Sequence, residues 1–86
     1  MSTLVAPPPH PVSASFDRGF FTVSLEDGST LRFPSSITPR LACATVAQLT
    51  DIELLPFTLR WEAVDEDISV DSLIERGFRV EVKSLP

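Results

Sequence analysis

The chain has 86 residues, 43% of them hydrophobic and 22% charged, with a formal net charge of −5 and a pI near 4.6. That length leaves room for one small folded unit and excludes a second, and the composition excludes a disordered chain. Seven Lys and Arg against twelve Asp and Glu, with no basic cluster, repel a phosphate backbone, so direct nucleic-acid binding is not expected.

Residues 1–12 carry four of the eight prolines, three of them in a row before His10. Proline without periodic apolar neighbours favours an extended, solvated chain. This segment is therefore predicted to be a flexible tail, with a single α+β domain over residues 13–86 and regular structure from about Phe16. The same N-terminus has neither the basic start nor the long apolar stretch of an export signal, and no run is long enough to span a membrane. A cytoplasmic protein is expected, and the lone Cys43, which cannot close an intramolecular disulfide, agrees with a reducing compartment.

Phe21, Val23 and Leu25 alternate with polar residues, Asp27-Gly28 supplies a turn, and the alternation resumes at Leu31 and Phe33. This is the pattern of a β-hairpin over residues 20–34. Next come two helix-start signals: Pro39 suits a first helical position, and Thr45 with Gln48 has the capping-box spacing. One bent helix or two short ones satisfy them equally. Ile52–Leu55 and Phe57–Trp61, separated by Pro56, read as two central strands. Ser69 is placed as an N-cap, Ile68 and Leu73 have the spacing of a hydrophobic staple, and Gly77 is placed as a stop, giving a helix over 70–76. Phe78, Val80 and Val82 then alternate with charged residues as a C-terminal strand. The fold class is α+β: a small, mainly antiparallel sheet with two or three short helices.

The short acidic hairpin, the segment PRLACAT and the run RWEAVDEDISVDSLIERG together resemble the bacterial domain of unknown function 2442, over about residues 20–77. The tryptophan followed by Asp65, Glu66, Asp67, Ile68, Ser69, Val70 and Leu73 carries most of the likeness, with support from Pro39, Arg40, Leu41, Ala44 and Thr45. The chain departs from the family pattern where a glycine-rich stretch and a histidine usually precede the tryptophan, for LLPFTL and Arg60 stand there. It departs again where aromatic residues give way to Ser35, Ser36 and Ile37. The resemblance implies the fold and, through family members that look like one half of a toxin–antitoxin pair, a small regulatory protein with a protein partner.

Glu62, Asp65, Glu66 and Asp67 place four carboxylates within six residues ahead of a helix start. Three readings stand: stabilisation of the helix N-terminus, a face for the Arg and Lys of a basic partner, or oxygen ligands for a hard cation. Trp61 completes an apolar strand, which argues for core packing, and is also a candidate partner anchor. Arg40, from the Pro-Arg-Leu segment, joins the candidate partner-binding residues. Cys43 is expected as a small buried thiol, because no histidine lies in the folded region to activate it. His10, in the tail, has nothing to hold it in a catalytic geometry. No catalytic set, metal motif or cofactor motif is present, so the expectation is a non-catalytic module that binds another, basic protein, with self-association open. The alternative is a homo-oligomer that binds a metal ion or small ligand through the acidic run.

Overall fold

The structure, a computed structural model, describes residues 8–80. In chain order they form strands β1 (Pro11–Asp17), β2 (Phe20–Leu25) and β3 (Thr30–Pro34), and helices α1 (Pro39–Ala42) and α2 (Val46–Thr50). Strands β4 (Glu53–Leu54), β5 (Thr58–Trp61) and β6 (Glu66–Ser69), helix α3 (Val70–Glu75) and strand β7 (Arg79–Val80) follow. The strands divide between two antiparallel sheets, ordered β1-β2-β3-β7 and β4-β5-β6. No helix among the described residues is long and apolar enough to cross a membrane.

The hairpin forms where the alternation places it. Phe21, Val23, Leu25, Leu31 and Phe33 are all buried on one face, and Gly28 turns the chain at φ +90° while its N–H donates to the Leu25 carbonyl at 3.0 Å. Ahead of it lies a strand that the sequence hid. β1 takes in Pro11 and Val12 and runs to Asp17, so the boundary of the expected tail at residue 12 and the start near Phe16 are both corrected. Small Ser and Ala side chains weaken the period-two signal there, and the β1–β2 turn uses Arg18 at φ +52° before Gly19 at +85°, an unusual residue for a type I′ turn. Of the rest of the expected tail, residues 1–7 lie outside the described residues.

Of the two arrangements open for the helical stretch, two short helices form. Thr38 accepts the Leu41 N–H at 3.2 Å with Pro39 opening α1, and Thr45 and Gln48 exchange both capping-box bonds at the start of α2. Ser69 caps α3 by accepting the Ser72 N–H, and Ile68 and Leu73 are both buried beside it. After α3, Gly77 at φ +86° lets its own N–H reach the Ile74 carbonyl and the Phe78 N–H reach that of Leu73. These are the two bonds of a Schellman stop.

Among the described residues, one core of twelve lies between the sheets. Phe21 is its centre: its ring meets Phe16 at 4.9 Å and Phe33 at 5.1 Å within the first sheet, and Trp61 of the second at 5.1 Å. The C-terminal strand keeps Phe78 packed against the core, as the alternation read from sequence has it, but leaves both Arg79 and Val80 exposed. Thr30 stands opposite Val80 and Leu31 opposite Arg79, so Val80 is exposed. Arg79 reaches to 3.9 Å from Asp27. Val82 lies outside the described residues.

Candidate functional site

The acidic run is built by a reversal after β5. The chain makes a single 3₁₀ turn over Glu62–Val64 and then places Asp65 in the left-handed region at φ 56°, ψ 48°, a conformation that Asp tolerates better than most residues. The Arg40 guanidinium, from α1, donates to the Asp65 carbonyl and stands 3.5 Å from its carboxylate. With the turn held there, Glu66–Ser69 pairs with β5, Trp61 opposite Glu66 and Arg60 opposite Asp67. The run is therefore not a loop ahead of a helix but largely an edge strand. Its only apolar member, Ile68, gave too short an alternation to show in the sequence.

The structure separates the candidate residues into two groups. Trp61 is fully buried, and its indole N–H donates to the Leu49 carbonyl at 3.2 Å; it belongs to the core and offers no surface to a partner. Arg40 and Asp65 hold each other, and the Asp67 carboxylate lies 4.0 Å from Arg60. Glu62 is exposed and Glu66 half-buried, and neither forms an ion pair among the described residues. The Asp65 carboxylate, although beside Arg40, remains 90% exposed. The result is a solvated, net negative edge on the outermost strand of the second sheet. No group of three or more His, Cys, Asp or Glu among the described residues is placed to hold a metal ion.

Two expectations about single residues change. Cys43 is exposed because it follows the last residue of α1 at a corner whose buried side is supplied by Leu41. His10 is held to the domain: its N–H donates to the Glu26 carboxylate at 3.0 Å, its carbonyl accepts the Glu26 N–H, and its ring packs edge-on against Phe57 at 5.0 Å. It borders an open groove of ≈ 850 Å³, lined also by Glu26, Asp27, Asp71, Ile74 and Arg79. The buried Ser29 donates to the Asp27 carboxylate from its hydroxyl, at 2.6 Å, and from its N–H, at 2.9 Å. These bonds, with a smaller contribution from Arg79, hold the Asp27 carboxyl below the usual carboxylate range. No sequence pattern marks this groove, because the His10–Glu26 contact that borders it spans 16 residues and forms only with β1 in place.

A family model described as protein of unknown function (DUF2442) matches residues 11–79, which extends the region of resemblance to include β1. Among solved structures, a protein of unknown function from Rhodospirillum rubrum ATCC 11170 is similar at 33% identity and a TM-score of 0.74. The alignment covers 83% of this chain and 90% of that one. No curated protein matches the chain.

Proposed function

The chain belongs to the DUF2442 family of proteins of unknown function, and we propose that it is a small non-catalytic regulatory module, the acidic half of a two-protein pair. Its partner is a basic protein segment that docks on the edge formed by Glu62, Asp65, Glu66 and Asp67. The observation that supports this most is the division of labour among the carboxylates. Arg40 and Arg60 stand beside Asp65 and Asp67, which fixes the edge, while Glu62 and Glu66 are left to face an incoming cation. Exposed complementary charge of this kind acts mainly on the rate of encounter and on the choice of partner. The module works in the cytoplasm on this reading. Binding of a metal ion or small ligand by the same run is the weaker reading, because arginines already sit where a cation would bind Asp65 and Asp67.

The reading is tested by recovering the tagged full chain from lysate of its own host at low ionic strength. A basic protein should be retained and should elute as the salt is raised toward physiological strength, where the screening length falls to about 8 Å. A chain that emerges alone at low salt, or a retained protein that resists salt, would overturn the proposed charge-driven recognition.

A further inference from the structure

The β2–β3 turn contains a pair of residues with chemistry of its own. Of the six aspartates only Asp27 precedes a glycine, and the chain has no asparagine. An aspartate in that position can close a ring on the main chain. The backbone nitrogen of Gly28 attacks Cγ of Asp27, a C–N bond forms, and water leaves, made of one carboxyl oxygen, the carboxyl proton and the amide proton. Water then opens the five-membered imide at either of its carbonyls. Opening at Cγ restores aspartate, whereas opening at the main-chain carbonyl leaves the chain running through Cγ as an isoaspartyl linkage. No oxidant or further reactant is needed, and the final mass is unchanged. A bulky residue after the aspartate hinders this closure, and here there is none. Gly28 is exposed, and a Cβ placed on it would meet nothing within 4 Å.

Hydrogen bonds supply the hindrance instead. Both oxygens of the Asp27 carboxylate are engaged: Oδ1 accepts the Ser29 hydroxyl at 2.6 Å and the Ser29 N–H at 2.9 Å, and Oδ2 stands 3.9 Å from the Arg79 guanidinium. The Gly28 N–H is committed to the Leu25 carbonyl at 3.0 Å. We propose that Asp27–Gly28 is a site of isoaspartate formation that Ser29 suppresses while the hairpin is folded. To swing onto the Gly28 nitrogen, the carboxyl group must give up both Ser29 bonds, and Gly28 must give up its own. The ring also closes from the protonated carboxyl, because an ionised oxygen is a poor leaving group, and the same Ser29 bonds keep Asp27 ionised. Conversion alters the fold where it occurs. It lengthens the main chain by one carbon inside the loop that the Leu25 N–H closes on the Ser29 carbonyl at 2.9 Å, and it moves the carboxylate away from Arg79.

The test is the rate at which the full chain gains isoaspartate at neutral pH, in native buffer and in guanidinium chloride. Enzymatic methylation of isoaspartyl groups gives the amount, and fragmentation of the tryptic peptide Gly19–Arg32 gives the position. The wild type should convert severalfold more slowly in native buffer than in denaturant. Ser29→Ala should convert severalfold faster than the wild type in native buffer and at the same rate in denaturant, where Ser29 has no bond to lose. Asp27→Glu, which can close only a six-membered ring, should remove the signal. A wild type that converts equally fast in both solvents overturns the proposal. So does a Ser29→Ala variant that is no faster in native buffer or is equally ahead in denaturant, and so does a signal that survives Asp27→Glu.

Discussion

At the scale of single residues, conformation and hydrogen bonding decide more than contact does. Gly28 sits at φ +90°, and a Cβ placed there would meet nothing within 4 Å, so its role is purely conformational. Gly28→Val should lower stability by about 1 kcal/mol or more, because a β-branched residue is strained in the left-handed region. A denaturation midpoint unchanged by the substitution would show that the turn has another form. Asp27 makes the complementary case for hydrogen bonding. Its carboxyl is held below the ordinary range first by the Ser29 hydroxyl, so the stabilisation it gives is present at neutral pH and is lost as the pH falls through its folded value. Ser29→Ala removes the largest cause. An NMR titration should then show the Asp27 pKa rising toward the ordinary carboxylate value; if it stays where it was, the Arg79 and backbone contributions have been underrated.

At the scale of elements, the caps and turns were legible in the sequence and the weakly apolar strands were not. Thr45–Gln48, Ser69 and Gly77 each act through a backbone bond to a residue a few positions away, and Pro39 through its fixed φ at the first helical position, so local spacing alone specified these helix ends. β1 and β6 depend instead on pairings with weak local signals: β1 on a bulged hairpin with β2 through the Arg18–Gly19 turn, and β6 on the arginine of α1, 25 residues away from Asp65. Neither strand has enough apolar alternation to declare itself. The candidate site followed the same rule. Its carboxylates could be found by their density, but the links that tie Arg40 to Asp65 and Arg60 to Asp67 needed the tertiary structure. Two predictions belong here. Arg40→Ala should cost about 1 kcal/mol, since it leaves the Asp65 carbonyl without its donor. Asp65→Asn should cost about 0.5 kcal/mol or less, since it removes only an exposed ion pair and Asn keeps the left-handed turn; equal losses in urea unfolding would refute the carbonyl clamp. Truncation through Val12 should lower the melting temperature, because it removes the buried Pro11 and both His10–Glu26 bonds. A melting curve identical to that of the full chain would mean that β1 begins later and that its first residues add nothing.

At the scale of the whole molecule, two short segments that carry the family likeness turn out to be one structural unit. PRLACAT supplies Pro39, Arg40 and Thr45 to open the helices and hold the turn, and the acidic run supplies the turn, the edge strand and the cap of α3. Between them they present a negative edge whose shape depends on Arg40 and whose free charge resides chiefly in Glu62 and Glu66. Small domains of this length bury only about 60% of the surface their unfolded chains expose, so a partner that covers this edge would add materially to stability. The central claim is that recognition and folding are carried by different carboxylates of the same run. It is tested most directly by measuring, side by side, the melting temperature and the retention of a basic host protein for the wild type and for the double variant Glu62→Gln, Glu66→Gln. The account predicts an unchanged melting temperature with loss of the retained protein. A lowered melting temperature with the protein still retained would contradict it, because the two glutamates would then serve the fold and not the partner.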